Sequence, residues 1–181
     1  MKYRTIVADP PWQYERFALG PGHGVLEVRP LPYPAMSLDE IRRLPVRDLA
    51  AADCRLFLWT TNRYLPDAFD VLGAWGFTYR QTLVWHKLDA NLPGSVAPNS
   101  AEYVLVGVRG NPARLATMPS AVIATTRLGP HSTKPECWLD YFEAISPGPY
   151  LELFARRNRI GWDTWGNDCL MQLDLPKEAG T

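Results

Sequence analysis

The most chemically informative residues of the chain are four consecutive ones near its beginning, Asp9, Pro10, Pro11 and Trp12. A carboxylate, two prolines and an indole ring follow a short apolar run without a spacer. Because proline fixes φ and has no N–H group, the carbonyl between the acid and the ring is held in one direction. A carboxylate and a carbonyl can accept both hydrogens of an exocyclic amine while an aromatic ring stacks on the attached base. The pattern therefore favours a site for the amine of a nucleobase.

The same four residues have a second interpretation, in which Asp9 caps a turn and Trp12 packs at the surface. The tetrapeptide alone leaves both open. The elements that position the tetrapeptide decide between the two interpretations.

The apolar run before the acid, Thr5-Ile6-Val7-Ala8, predicts a buried strand that delivers Asp9 to its carboxyl end. Patterns of the same kind predict further strands at 55–60, 81–86, 102–108, 121–126, 150–154 and 160–165. Helical spacing predicts helices at 65–75 and from Pro135 to 145, and a capping box at 37–40 predicts a short helix that ends by Pro45. Strands that alternate with helices predict an α/β domain with a largely parallel sheet, which binds ligands beyond the carboxyl ends of its strands. The segments 13–36, 88–100 and 110–119 are predicted loops.

Composition limits the classes of protein that fit. The 181 residues have the size of one globular domain, with 46% hydrophobic and 21% charged residues. Nineteen basic residues balance nineteen acidic ones, which excludes a general polyanion binder but not a local basic groove. The three cysteines are widely spaced and form no CxxC pair, so neither a disulfide framework nor a zinc knuckle is predicted. No signal peptide or membrane span is recognisable, and we expect a cytoplasmic protein.

Several sequence blocks, in one consistent order, resemble the adenine N-6 methyltransferase family that includes the catalytic subunit of the eukaryotic messenger-RNA methyltransferase and its bacterial and phage relatives. The blocks are 9–12 (DPPW), 33–41 (YPAMSLDEI), 56–62 (LFLWTTN), 75–79 (WGFTY), 84–87 (VWHK), 106–112 (VGVRGNP), 131–135 (HSTKP), 151–156 (LELFAR) and 161–167 (GWDTWGN). The resemblance implies a Rossmann-like S-adenosylmethionine-dependent methyltransferase fold of permuted motif order, with the catalytic strand early and the cofactor strand late. It also implies a methyltransferase domain at 1–169 and a peripheral tail at 170–181.

The resemblance assigns roles to individual residues. It implies that Asp9, Pro10, Pro11 and Trp12 form the catalytic motif, and that Asp9 also faces the methionine end of the cofactor. It implies that Lys134 meets the cofactor carboxylate, although a lysine at a helix start is more commonly a surface residue. The strand with Glu152 and Phe154 matches the cofactor motif of the family, and the residues expected to hold the ribose and adenine are Arg156, Asn158 and Asn167. The alignment leaves the position of Asn158 open by one residue.

The function implied is transfer of a methyl group from S-adenosylmethionine to the N-6 amine of adenine in a nucleic acid, with DNA favoured over RNA because the chain is short. The alternative is a catalytically silent member of the family that binds nucleic acid or a partner. No metal site is expected, since His23, His86 and His131 are scattered. Four arginines are expected beside loops that face the substrate: Arg42, Arg43, Arg109 and Arg114. The recognition sequence and the oligomeric state stay open.

Overall fold

Seven strands form one mixed sheet in the computed structural model of the chain, which describes residues 1–13, 35–90, 96–126 and 134–166 together with two short strands at 17–18 and 25–26. The strands of the sheet are β1 (Tyr3–Ala8), β4 (Ala50–Thr60), β5 (Thr78–Lys87), β6 (Ala101–Arg109), β7 (Val122–Thr125), β8 (Tyr150–Leu153) and β9 (Trp162–Trp165). Their spatial order is β7-β5-β6-β4-β1-β8-β9. The short strands β2 (Phe17–Ala18) and β3 (Val25–Leu26) pair antiparallel with each other.

One strand of the sheet runs against the others. β1 pairs parallel with β4 and with β8, β8 pairs parallel with β9, and β5 pairs parallel with β7. β6 pairs antiparallel with both β4 and β5. The prediction of a largely parallel sheet is therefore confirmed. The direction of β6 brings its first residues to the edge where the other six strands end, and its last residues to the edge where they begin.

The described residues form four helices beside the sheet: α1 (Leu38–Arg43), α2 (Val46–Leu49), α3 (Leu65–Ala74) and α4 (Cys137–Ile145). The predicted capping box opens α1, since the Ser37 hydroxyl accepts a bond from the Glu40 amide at 3.3 Å and the Glu40 carboxylate accepts one from the Ser37 amide at 2.7 Å. Pro135 was expected in the first turn of a helix, but α4 begins two residues later. The carbonyl of Pro135 instead accepts a bond from the Trp138 amide at 3.1 Å.

The core occupies both faces of the sheet, and successive residues of the inner strands alternate between them. Leu56 packs in the cluster with α3, whereas Phe57 packs on the opposite face, where its ring stacks on Phe142 of α4 at a centroid distance of 3.9 Å. Both side chains are fully buried. A strand covered on both faces needs apolar residues at every position, which explains the unbroken apolar runs in β1 and β4.

The predicted strands and the helices around 65–75 and 135–145 are confirmed, with shifts of a few residues at their ends. The segment 13–36 was expected to lack regular structure, but it includes β2 and β3. The predicted tail at 170–181 lies outside the described residues. Cys54 and Cys137 are free thiols. Within the described ranges, no helix has the length and apolarity to cross a membrane.

Leu72 of α3 tests how far the fold depends on this packing. Leu72 is 2% exposed, and a methyl group at Gly107 of β6 would lie 3.0 Å from its Cδ1 atom, so helix and strand are in close contact there. We expect Leu72→Ala to lower the free energy of unfolding by about 2–5 kcal/mol, because it leaves a cavity that the sheet cannot fill. Leu115→Ala is the matched control, since Leu115 is 59% exposed and its truncation should cost less than about 0.5 kcal/mol. Denaturant titration measures both, and equal losses would contradict this packing.

Candidate active site

A cleft opens at the carboxyl edge of the sheet, on the face covered by α4. Asp9 follows β1 directly, Phe154 follows β8, and Lys134 lies just before α4, so three separate segments supply it. Its described lining consists of Val7, Asp9, Trp59, Lys134, Pro135, Trp138, Leu139, Glu152, Phe154, Arg156 and Arg157. Parallel strands deliver residues that are distant in the chain to one edge, and that edge is where α/β proteins bind ligands.

The backbone around Asp9 is held by bonds from three directions. The Asp9 amide donates to the carbonyl of Leu153 at 3.4 Å, which ties it to the end of β8. The Pro10 carbonyl accepts from the Trp12 amide at 2.8 Å, and the Pro11 carbonyl accepts from the Met36 amide at 3.0 Å. Because a carbonyl oxygen has two lone pairs, each of these proline carbonyls keeps one for a further donor. The turn is thus fixed in a form that still offers acceptors.

Trp12 packs inside the protein. Its side chain is 4% exposed, its Nε1–H donates to the carbonyl of Trp59 at 3.3 Å, and its ring stacks on Tyr64 with centroids 5.3 Å apart and an interplanar angle of 13°. Trp12 does not pack at the surface, so that part of the second interpretation is wrong. One face of the indole is thus covered by the Tyr64 ring.

Four charged side chains of alternating sign lie in a row at this edge: Lys87, Glu102, Lys134 and Asp9. Lys87 Nζ donates to Glu102 Oε1, Glu102 Oε2 lies 3.2 Å from Lys134 Nζ, and Lys134 Nζ lies 2.6 Å from Asp9 Oδ2. Their side chains are between 9% and 25% exposed. We call this row the charge chain. It joins the ends of β5 and β1, the start of β6 and the segment before α4.

The charge chain favours the ionised forms of its two inner members, Lys134 and Glu102. Burial disfavours the charged form of Lys134, but the carboxylates of Asp9 and Glu102 outweigh it and raise the pKa of Lys134 above its ordinary value. Burial likewise acts against ionised Glu102, yet Lys134 and Lys87 together lower the pKa of its carboxyl group. Lys134 Nζ also lies 5.1 Å from the centre of the Trp59 ring, whose face attracts a cation. The site therefore presents a fixed ammonium group beside a fixed carboxylate.

Two polar atoms in the wall of the cleft stand out because they are buried without a hydrogen-bond partner among the described residues. They are Oε2 of Glu152, on β8, and Nε1 of Trp138, on α4. Burial is the main cause that raises the pKa of Glu152 to about 7, and the nearby Asp9 carboxylate adds to it. An unpaired buried acceptor costs free energy unless a ligand satisfies it. Both atoms thus point to a polar ligand in the cleft.

Phe154 has a strained backbone at the point where β8 ends. Its φ is 64°, in the left-handed region that non-glycine residues seldom adopt and that costs them roughly 1–2 kcal/mol. This turn lets the Ala155 amide bond to the Trp165 carbonyl at 3.0 Å, while Gly166 lies so close to Ala155 that a Cβ atom would sit 2.1 Å from its carbonyl oxygen. Strain of this kind is typical of functional sites.

The other residues predicted to hold the cofactor are brought together only in part. Arg156 lines the cleft beside Phe154. Asn158 is not among the described lining residues, and its Oδ1 accepts a bond from the Thr164 hydroxyl at 3.3 Å in the turn between β8 and β9. Asn167 lies outside the described residues. The roles of these residues stay predictions.

Two of the arginines expected beside substrate-facing loops, Arg109 and Arg114, lie far from Asp9. Because β6 runs antiparallel, Arg109 pairs with Cys54 near the beginning of β4, and both Arg109 and the following Arg114 lie at the edge opposite Asp9. Arg42 pairs with Asp39 and Asp70 on the helices. Arg109 and Arg114 are thus distant from Asp9, and the expectation that the loops beside them face the substrate stays a prediction.

Sequence analysis missed Glu102 and Lys87 as members of the site. The available signal was a charged residue near one end of each of two predicted strands. The sequence does not reveal how β5 and β6 pair. Trp85 of β5 lies opposite Glu102 of β6, so Lys87, two residues after Trp85, comes close to Glu102. Within the described ranges, no three His, Cys, Asp or Glu side chains are grouped as metal ligands.

A mixed sheet with helices on both faces, and an acidic turn at the carboxyl end of an interior strand, is the architecture of an α/β methyltransferase. A family model described as MT-A70 matches residues 3–168. The chain belongs to the MT-A70 family, which confirms the resemblance inferred from its motifs.

Individual relatives agree with this assignment. The type II methyltransferase M.MunI of Mycoplasma sp is 33% identical over 180 residues, covering 91% of this chain and 77% of that protein. The N(6)-adenosine-methyltransferase MT-A70-like protein of Drosophila melanogaster is 31% identical over 176 residues, covering 92% of this chain and 27% of that protein. The human N(6)-adenosine-methyltransferase catalytic subunit METTL3 is 29% identical over 176 residues, covering 92% of this chain and 28% of that protein. The chain thus spans less than a third of the last two proteins.

Glu102→Gln tests whether the charge chain holds the site together. The substitution leaves the buried Lys87 without a counter-charge and removes one of two from Lys134, so we expect it to lower the free energy of unfolding by about 3–5 kcal/mol. Glu136→Gln is the control, because the Glu136–Arg157 pair is exposed and worth less than about 1 kcal/mol. Adding Lys87→Met to Glu102→Gln should recover part of the loss. Denaturant titration of the three variants decides the matter, and a loss no greater than that of the control contradicts the arrangement.

The pKa of Glu152 predicts a particular pH dependence of stability. A carboxyl group with a pKa of about 7 in the folded chain and an ordinary value in the unfolded chain binds more protons when folded. Its contribution to the free energy of unfolding therefore falls as pH rises from about 4.5 to about 7. Glu152→Gln removes this contribution, so the variant should gain roughly 2–3 kcal/mol relative to the parent across that window. Thermal unfolding at pH 5 and pH 7.5 measures the difference, and an unchanged difference would show that Glu152 is ordinarily ionised.

Proposed function

We propose that the chain transfers a methyl group from S-adenosylmethionine to the N-6 amine of adenine in a nucleic acid, with DNA favoured over RNA, and that it does so in the cytoplasm. The observation that carries the proposal is Asp9, a carboxylate fixed at the carboxyl end of β1 and paired with Lys134 at 2.6 Å. In this proposal residues 1–169 form the methyltransferase domain. β1 carries the catalytic motif and β8 the cofactor motif, which is the permuted order.

The residues of the cleft fit the amino-acid end of this cofactor. That end carries one ammonium group and one carboxylate, and the cleft presents one carboxylate and one ammonium group side by side. Lys134 is suited to the carboxylate, and Asp9 to the ammonium group. Glu152 Oε2, which is buried without a described partner, supplies a second acceptor close by. Phe154 and Arg156 border the same cleft, and we propose that Asn158 and Asn167 complete the binding of the ribose and adenine.

When bound, the cofactor supplies an electrophilic methyl group. The contribution of the chain is to hold and orient the amine. Asp9 accepts one hydrogen of the amine, and the free lone pair of a proline carbonyl accepts the other, which turns the nitrogen lone pair out of conjugation with the ring. No strong base is required before transfer, because alignment of two reactants contributes roughly 7–11 kcal/mol through effective molarity. The nitrogen that has gained the methyl group then loses one proton, which passes through Asp9 to water. The packed Trp12 holds the turn that carries these acceptors.

The target must be presented outside a base-paired stack. An adenine in a duplex cannot place its amine in a cleft at the edge of a sheet, so a DNA target has to be flipped or single-stranded. The segment 88–100 connects two strands at the catalytic edge and is the proposed place for target contacts, together with 13–36. The preference for DNA rests on the likeness to the type II methyltransferase, which extends over 77% of that protein. The silent alternative is disfavoured because both charged partners, Asp9 and Lys134, are present and joined.

The proposal is tested by a methyl-transfer assay with labelled cofactor on duplex DNA, single-stranded DNA and RNA of one sequence, followed by nucleoside analysis. We expect label in N-6 methyladenine, with more from DNA than from RNA. Label in another nucleoside would refute the substrate, and no transfer to any of them would favour the silent alternative.

Asp9→Ala, measured at saturating cofactor, tests the catalytic role of the carboxylate. We expect the single-turnover rate to fall by about 10²–10³, since the carboxylate acts mainly on the amine in the transition state. Asp9→Asn should be nearly as damaging, because the amide directs a donor at a donor. Lys134→Ala is the comparison, and its main effect should be weaker cofactor binding in calorimetry. A folded Asp9→Ala protein that methylates adenine within about tenfold of the parent rate would leave Asp9 as a structural turn residue.

A further inference from the structure

A second cavity lies on the same face of the sheet as the catalytic cleft, but toward the opposite edge. It has a volume of about 270 Å³ and lies between β4, β5 and β6 and the segment 112–121. Three arginines line it, Arg55, Arg80 and Arg114. On β4, Arg55 precedes Trp59 of the catalytic cleft by four residues, which corresponds to ~13 Å along a strand. The stacked rings of Phe57 and Phe142 stand on this face beside the cavity, so the two sites are separate.

Arg55 is a buried cation with no carboxylate partner in the described part of the chain. It is 8% exposed, and its guanidinium donates to the carbonyl oxygens of Ala113 at 3.0 Å, Ile145 at 3.3 Å and Pro112 at 3.3 Å. These bonds fix its orientation and cap the end of α4, but neutral carbonyls do not cancel its charge. They account for at most three of the five N–H groups of a guanidinium.

Arg80 and Arg114 add further positive charge to the cavity. Among the described residues that line the cavity there is no aspartate or glutamate. Burial lowers the pKa of Arg55, and the nearby charge of Arg114 lowers it further. Like charges beside a partly closed cavity repel each other unless an anion lies between them. The excess of positive charge in the cavity therefore favours binding of an anionic ligand.

The remaining lining shows what kind of anion fits. The floor is apolar, with Phe57, Leu83 and Val106, and hydroxyl groups stand at the rim on Thr117 and Ser120. Guanidinium groups bind phosphate oxygens in pairs of parallel hydrogen bonds, and the apolar floor suits the flat part of a base or the face of a sugar. We propose that this cavity is a second binding site, which takes the phosphate group of a nucleotide, either free or within a nucleic-acid strand.

The site is tested with thymidine 5′-monophosphate, compared with thymidine. Thymine has no exocyclic amine, so this probe does not report on the proposed methyl-acceptor site. In calorimetry of the full chain we expect saturable binding of the monophosphate and at least tenfold weaker binding of the nucleoside. Arg114→Gln and Arg80→Gln should each weaken binding of the monophosphate at least fivefold. Both arginines are exposed, and Arg55 stays intact because it caps α4.

Arg4→Gln is the matched control, since Arg4 is an exposed arginine on β1 that does not line the cavity. Its affinity for the monophosphate should stay within twofold of the parent, and circular dichroism should show all three variants folded. The proposal is overturned if thymidine binds as tightly as its monophosphate. It is also overturned if the two cavity variants bind the monophosphate like the control.

A twelve-residue oligothymidylate distinguishes the two sources of the phosphate. If the oligonucleotide displaces the monophosphate and binds Arg114→Gln more weakly than the parent, the cavity holds a strand. If the oligonucleotide neither displaces the monophosphate nor binds Arg114→Gln more weakly, while binding of the monophosphate still requires Arg114, the cavity takes free nucleotides. Either result supports the phosphate site independently of whether the chain transfers a methyl group.

Discussion

The ion pair between Lys134 and Asp9 is the interaction on which the candidate site depends, and Glu102 and Lys87 extend it on the side away from Asp9. Charges removed from water are tolerated when each has an opposite charge and hydrogen bonds beside it. In the charge chain, the two inner members each have two partners. Asp9, at one end, is the most exposed of the four side chains at 25%, so the carboxylate most open to a ligand is the one at the catalytic turn.

The charge chain requires the single antiparallel strand. In a purely parallel sheet every strand delivers its last residues to the catalytic edge, and Glu102, near the start of its strand, would lie at the other edge. Because β6 is reversed, it places Glu102 opposite Trp85 at the catalytic edge and Arg109 opposite Cys54 at the other. One reversal thus supplies an acid to the site and removes a cation from it. The same reversal starts the following segment, with Arg114, at the edge where the second cavity lies.

Local sequence patterns predict the strands and helices, but they do not predict which elements and side chains contact each other. The apolar run before Asp9 and the capping box at Ser37 predict a strand and a helix because burial on two faces and a hydroxyl cap leave signals within a few residues. The partners of Lys134 come from residues 125 positions earlier and 32 positions earlier in the chain, and only pairing between strands joins them. The packing of Trp12 on Tyr64 is of the same kind, since the sequence marks an aromatic residue but not which ring covers it.

Glu102 also explains how an ion pair inside the site is compatible with the proposed cofactor. Entry of a ligand that carries both charges separates Lys134 from Asp9, and a bare ammonium group at that depth would be costly. Lys134 does not become bare, because Glu102 lies 3.2 Å away on its other side and is itself held by Lys87. Asp9, the more exposed partner, changes one counter-charge for another. Each charge is therefore paired before and after a zwitterion enters, and Glu102 keeps Lys134 paired while its partner is exchanged, which a lone Lys134–Asp9 pair would not achieve.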